Sequence, residues 1–250
     1  KDVLIVKIIK LSKDTLINEN LTSTIGIFDG LHKAHVQLIK KCINLAKKTN
    51  TKSSIITFNV LTNIKNCTTN IPLLREADQI KIIESLGVDY LLTIDLDEEF
   101  KQTTHEDFIK YLINLGVKNL VIGFDFQYGK DRLGSIKTIK DDAQSNINLT
   151  IIKEKTYHHQ KIGTTEIKEY LKNGQIKTAN KLLGYPYFIT LDTNISSNQL
   201  KLIKPGIYDV IIDGFKTNIE VQDNTIELND MVKTIDHETT ITFLKSRVTK

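Results

Sequence analysis

His32 and His35 stand three positions apart, directly after an apolar run and directly before a stretch of helical periodicity. The segment reads Ser23-Thr24-Ile25-Gly26-Ile27-Phe28-Asp29-Gly30-Leu31-His32-Lys33-Ala34-His35-Val36-Gln37-Leu38-Ile39. Residues 24–28 predict a short strand, and Val36, Leu38, Ile39, Cys42, Ile43 and Leu45 recur at helical spacing. His32 then falls in a glycine-bearing turn and His35 near a helix start, where unpaired main-chain N–H groups and the helix dipole favour an anion. Two imidazoles aimed at such a spot suit a phosphate. Taken alone, such a pair reads more readily as two surface histidines on a connecting loop; the strand, the turn glycine and the helix together favour the phosphate site.

A second cluster follows another strand signal: Val121-Ile122-Gly123-Phe124-Asp125-Phe126-Gln127-Tyr128-Gly129-Lys130-Asp131-Arg132-Leu133-Gly134. Its glycines permit close main-chain approach, its aromatics offer a flat apolar surface, and Asp125 offers a fixed acceptor. The plainer reading is a strand-to-helix loop with its aromatics in the core. The third cluster, Ile162-Gly163-Thr164-Thr165-Glu166-Ile167-Lys168, sets adjacent hydroxyls at a helix start with a cation one turn on. That pattern makes a second anion-binding terminus, or simply a helix cap.

Such loops need a rigid frame. Strands are predicted at 24–28, 53–58, 90–94, 119–123 and 148–152, and helices at 35–49, 75–86, 105–115 and 133–142. Leu86-Gly87-Val88 and Leu115-Gly116-Val117 read as helix stops, and Thr104 as the cap of the third helix. Residues 3–9 add a strand. Alternation of this kind argues for a parallel sheet with helices on both faces, binding ligands at the carboxyl ends of its strands near the switch in strand order. After Pro186 only β-like runs follow, at 186–190, 206–212, 216–221, 225–228 and 239–244. The expected organisation is an α/β domain over 1–184 and a small all-β module over 185–250.

With 40% hydrophobic and 26% charged residues in 250, the chain has the balance of a soluble globular protein. No apolar run approaches the roughly 20 residues of a membrane span, so no membrane partner is expected. The net charge of +4 is mild and no basic stripe is interleaved with aromatics, so no nucleic-acid partner is expected either. Small phosphorylated molecules fit that balance. Two cysteines, Cys42 and Cys67, without zinc spacing or a disulfide framework, fit a reducing cytoplasm. Cys42, on the apolar helix face, is predicted to be a buried small hydrophobe.

As a set and in this order, the three clusters resemble the FAD synthetase module of bacterial bifunctional riboflavin kinase/FMN adenylyltransferases. That family shows Gly-x-Phe-Asp-Gly-x-His-x-Gly-His, then Gly-x-Asp/Asn-Phe-x-Phe-Gly, then Ser-Ser-Thr-x-Ile-Arg. Here they appear as Gly26 to His35, Gly123 to Gly129 and Gly163 to Lys168. The likeness extends to Ser85-Leu86-Gly87-Val88-Asp89-Tyr90-Leu91-Leu92 and to Ala179-Asn180-Lys181-Leu182-Leu183-Gly184-Tyr185-Pro186-Tyr187, and covers most of 22–190. Ala34 replaces a glycine, Lys168 an arginine, and Asn59-Val60-Leu61 a Pro-His-Pro element. In the second module, residues 191–201 replace a longer segment and the Pro-Thr-Ala-Asn motif of the kinase is absent. Lys204-Pro205-Gly206-Ile207-Tyr208 and Thr240-Ile241-Thr242-Phe243-Leu244 stay family-like.

The resemblance implies a Rossmann-like nucleotidyltransferase domain followed by a shortened, barrel-like riboflavin kinase remnant without kinase activity. It implies FMN adenylyltransferase chemistry, with ATP and FMN as substrates and Mg²⁺ carried by the substrate phosphates, without metal ligands from the protein. It assigns catalysis to His32, His35 and Lys168, and ATP binding to Gly26, Ile27, Phe28, Gly30, Thr164 and Thr165. The flavin falls to Phe58, Asp125, Phe126 and Tyr128, with Asp29 and Arg132 as further polar contacts. Two alternatives stay open: a non-catalytic flavin or nucleotide-binding remnant, and a nucleotidyltransferase of the same fold acting on another phosphorylated acceptor.

Overall fold

The computed structural model describes residues 5–12, 15–59, 71–143, 146–157, 160–191, 197–222, 224–228 and 238–247. The chain divides into two compact units, one of residues 1–28, 34–66 and 81–154, the other of residues 29–33, 67–80 and 155–250.

The first unit is built on β1 (Lys7–Lys10), β2 (Leu21–Ile25), β3 (Lys52–Asn59), β4 (Tyr90–Asp95), β5 (Val117–Gly123) and β6 (Asn148–Ile152). They form one parallel sheet in the order β1-β4-β3-β2-β5-β6. The helices up to residue 143 are α1 (Lys33–Thr49), α2 (Glu76–Leu86), whose residues 76–80 fall in the other unit, α3 (Glu98–Lys101), α4 (His105–Asn114) and α5 (Ile136–Ala143). Strand order reverses direction at β2, between β3 and β5, which is where sheets of this class bind ligands.

The strand expected at 24–28 lies at Leu21–Ile25 instead. All five of its residues are buried, although three are hydroxyl-bearing. Two of the three pair: Thr22 Oγ1 lies 2.6 Å from Thr51 Oγ1, and Ser23 Oγ lies 2.6 Å from Ser54 Oγ, while Thr24 Oγ1 is buried without a hydrogen-bond partner among the described residues. A hydrophobicity pattern reads such a run as loop. The Cys42 thiol donates to the Thr22 carbonyl, and burial pushes its pKa up to about 12, so it behaves as the small hydrophobe expected. Cys67 lies outside the described residues, as do Val60 and Leu61.

Gly87 and Gly116 follow α2 and α4 at φ 75° and 97°. The Thr104 hydroxyl accepts the Asp107 N–H at 3.2 Å. It caps the helix expected at 105–115, which is α4 because the single turn of α3, capped by Asp97, is too short for a periodicity signal. Among the described residues, no helix is long and apolar enough to cross a membrane.

The second unit opens with the two-residue strands β7 (Thr156–Tyr157) and β8 (Gln160–Lys161), then α6 (Thr164–Lys172) and α7 (Ile176–Leu183). A curled antiparallel sheet follows, made of β9 (Phe188–Leu191), β10 (Gly206–Ile212), β11 (Phe215–Gln222), β12 (Thr225–Leu228) and β13 (Thr239–Arg247), in the order β12-β11-β10-β13-β9. Alternating burial along β10 and β13 gives it one packed face. Tyr187, Tyr208 and Phe243 meet in its core. Asn180 of α7 ties into this sheet, donating to the Phe243 carbonyl at 2.9 Å and accepting the Tyr187 N–H at 2.7 Å.

Candidate active site

The Asp29–Leu31 turn is held from four sides within the second unit. The Asp29 carboxylate accepts the Leu73 N–H through Oδ1 at 2.7 Å and pairs through Oδ2 with Lys168 Nζ at 3.0 Å. Its carbonyl accepts the Thr164 hydroxyl at 3.2 Å, and the Gly30 carbonyl accepts the Tyr185 hydroxyl at 2.6 Å. Gly30 has φ 74°, and a methyl group there would stand 2.4 Å from Leu73 Cδ1. Glycine is required on both counts. Leu31, at φ 38°, carries the strain of the same turn. The first and third sequence clusters, 135 positions apart at their hydrogen bond, are thus in direct contact.

α1 begins at Lys33, two residues earlier than its periodicity suggests, which leaves His32 immediately before the helix and His35 in its first turn. His32 is 3% exposed, and its pKa falls to about 4 through burial and the neighbouring Lys161 charge. At neutral pH it is therefore an uncharged imidazole, a hydrogen-bonding group rather than a cation. In the first unit, the Phe28 ring is buried edge-on against His35, with centroids 5.2 Å apart. The Gly26 N–H continues the β2 ladder to the Ile56 carbonyl at 3.2 Å, while Ile27 is exposed.

α6 starts without a side-chain cap on Gly163. A methyl group at Gly163 would stand 2.6 Å from Glu166 Oε2, so that carboxylate folds back over the helix start. Gly163, with extended backbone at φ −146°, occupies a place where the resembled pattern has serine. Thr164 is half-buried in the turn contact and Thr165 is exposed.

In the first unit, an aromatic row runs from Phe58 through Phe100, Phe108 and Tyr128 to Phe126, with successive centroids 6.1, 6.0, 5.8 and 5.4 Å apart. Phe126 is partly exposed, and Asp125, Phe124 and Arg132 are exposed around it. Tyr128 is buried, its hydroxyl donating to Asp142 Oδ2. Burial and that carboxylate push its pKa well up, so it stays protonated.

Residues 14–166 match the family model described as FAD synthetase. The chain belongs to this family. It is 35% identical over 171 residues to a bifunctional riboflavin kinase/FMN adenylyltransferase from Bacillus subtilis, covering 66% of this chain and 54% of that protein. The corresponding bifunctional enzyme of Listeria monocytogenes is 30% identical over 183 residues, covering 71% and 58%. A protein named FAD synthetase from the same organism is 28% identical over 176 residues, covering 67% and 70%. The chain spans about half the length of the bifunctional relatives it matches. The solved structure of a macrolide-efflux protein from Streptococcus pneumoniae aligns with a TM-score of 0.82 over 97% of this chain and 100% of that one, at 22% identity, a likeness of fold.

In each unit of this FAD synthetase-family chain, groups beside the sequence clusters carry no sequence signal of their own. Leu73 contributes only a main-chain N–H, Phe100 and Phe108 sit outside the three clusters, and Tyr185 belongs to a stretch whose role no periodicity announces. Among the described residues, the cluster with metal-ligand chemistry is His105, Glu106 and Asp142, in the first unit beside Tyr128. At the turn, Asp29 is already engaged on both carboxylate oxygens.

Proposed function

We propose that the chain is an FMN adenylyltransferase: a phosphate oxygen of FMN bonds to the α-phosphorus of ATP as the bond to the β-phosphate oxygen breaks, giving FAD and pyrophosphate. The attacking oxygen is already anionic, so no protein nucleophile is needed. Catalysis then rests on alignment and on stabilising negative charge, and alignment can supply up to roughly 7–11 kcal/mol of such a barrier. The observation carrying this reading is the join between the Asp29 turn and α6 through Thr164 and Lys168. It supports a common polyanion site shared by two clusters remote in sequence.

In this reading, His32 hydrogen-bonds a phosphate oxygen as a neutral imidazole and His35 does so from the first turn of α1. Lys168, set by Asp29, supplies the positive charge, with Thr164 and Thr165 at the α6 start. Gly26, Ile27, Phe28 and Gly30 shape the nucleotide side. Phe58, Asp125 and Phe126 receive the flavin, Tyr128 supports them from below, and Arg132 is a polar contact at the rim. Because Asp29 is committed to Lys168 and Leu73, Mg²⁺ would arrive on the polyphosphate, where it neutralises charge, rather than on a protein carboxylate.

We propose further that residues 1–184 form the catalytic domain, that 185–250 lack riboflavin kinase activity, and that the protein works in the cytoplasm. The decisive experiment mixes the protein with FMN, ATP and Mg²⁺ and separates the products by chromatography. FAD is expected, and its absence rejects the activity. Riboflavin with ATP and Mg²⁺ is expected to yield no FMN, and accumulation of FMN would reject the loss of the kinase.

A further inference from the structure

The loop between β5 and α5 holds an unusual run of backbone. Gly129, Asp131 and Arg132 lie at φ 71°, 53° and 58°, and two of these three are not glycine. Left-handed conformations persist at such residues only where the surroundings over-determine them. Here the surroundings are the start of α4 and one face of α5, all within the first unit.

The contacts are specific. Tyr128 and Gly134 close the loop with reciprocal main-chain hydrogen bonds of 3.1 and 2.9 Å, and the Lys130 N–H reaches the Thr103 carbonyl at 2.7 Å. A methyl group at Gly129 would stand 2.6 Å from the His105 main chain, and one at Gly134 would stand 2.7 Å from the Tyr128 ring. The loop therefore presses directly on His105. Asp142, its side chain 7% exposed, gathers two donors on one oxygen: the Tyr128 hydroxyl, and His105 Nδ1 at 2.8 Å. Thr138 Oγ1 stands 3.3 Å from the same hydroxyl.

His105 Nε2 faces Glu106 Oε1 at 3.3 Å, so the ring lies between two carboxylates. What the cluster fixes is Tyr128. Phe126 lies nearly parallel on that ring, 15° between planes, and so takes its orientation from it. The resembled pattern has phenylalanine at the place of Tyr128. The hydroxyl that enters the clamp is this chain's own.

We propose that His105, Asp142 and the Tyr128 hydroxyl are positioning residues that lock this loop and present Asp125 and Phe126 to a planar aromatic acceptor. The identity of that acceptor rests on the FMN adenylyltransferase reading; the clamp itself does not.

The test uses Tyr128→Phe, which keeps the ring and its packing, and Asp142→Asn, which keeps the shape of the carboxylate. Hydrogen–deuterium exchange over 124–134 and calorimetric titrations with FMN and with ATP are the readouts. Loss of one buried hydrogen bond should speed loop exchange about tenfold and weaken FMN binding about tenfold, with ATP affinity within about twofold of the unaltered protein. Unchanged loop exchange in both variants overturns the clamp. Equal weakening of FMN and ATP overturns its positioning role, since that is the signature of general loosening. Unaltered protein that binds ATP but not FMN rejects the flavin acceptor and the function reading, and leaves the exchange data to decide the clamp.

Discussion

The Asp29 turn and the Tyr128 loop each follow a strand of the parallel sheet, each contain a glycine that no other residue can replace, and each are tied down by a tyrosine hydroxyl. They differ in what does the tying. The turn is wired by charge and by its own carbonyls: Lys168 on the carboxylate, Thr164 and Tyr185 on main-chain oxygens. The loop is packed: its tyrosine is sandwiched among aromatic rings, and one buried carboxylate collects the donors. A polyanion is gripped by groups whose directions must be fixed, so wiring suits it. A flat apolar ring is gripped by area and orientation, so packing suits it. The contrast teaches that two strand-to-helix connections can be fixed by different means, one by ion pair and main-chain hydrogen bonds, the other by ring packing around a buried carboxylate.

If the turn carries the phosphate chemistry, its variants should strike rate, and the loop's should strike acceptor affinity. His32→Ala is expected to cut FAD formation at least about a hundredfold, the usual cost of losing one preorganised donor. Turnover like that of the unaltered protein would remove the turn from the chemistry. Gly30→Ala is expected to cost about 2–3 kcal/mol of stability, from the left-handed backbone plus the clash with Leu73. Gly87→Ala, at a similar φ but with nothing within 4 Å, should cost only about 1 kcal/mol. Equal losses in urea unfolding would mean the turn is not packed as tightly as its wiring implies.

A pH series sharpens the same point. His32 titrates near 4 in the fold and near 6.5 when unfolded, so between those values the unfolded chain takes up a proton that the folded one refuses. Stability contributed by the neutral imidazole is complete above about 6.5 and declines as pH falls, by about 2 kcal/mol at pH 5. His32→Asn should lose that much less than the unaltered protein between pH 7 and 5. Parallel curves would show an imidazole open to solvent. The smallest expected effect is at α6: Glu166→Gln withdraws a carboxylate charge from the helix start and should tighten ATP binding a few-fold, roughly 0.3–1 kcal/mol. Weaker ATP binding in that variant would make Glu166 a ligand-side group instead of a competitor.

Much of the frame was legible beforehand, because helices and strands advertise themselves through periodicity and through glycine stops such as Gly87 and Gly116. The five C-terminal strands fell within a few residues of their runs for the same reason. β2 was misplaced because Thr22 and Ser23 look like solvent-facing residues until their hydroxyl partners on neighbouring elements are known. Phe28 looked like strand because it is apolar, yet it is buried beyond the strand end against His35.

By itself the sequence determined the alternating α/β order, the all-β end and the residue types of three clusters, since those are written in local spacing. Tertiary structure alone decided that Thr164 and Lys168 reach Asp29, that burial leaves His32 uncharged, and that His105 and Asp142 stand behind Tyr128. Those outcomes depend on pairings between residues 14 to 139 positions apart and on desolvation, and neither leaves a mark on the order of residues along a chain.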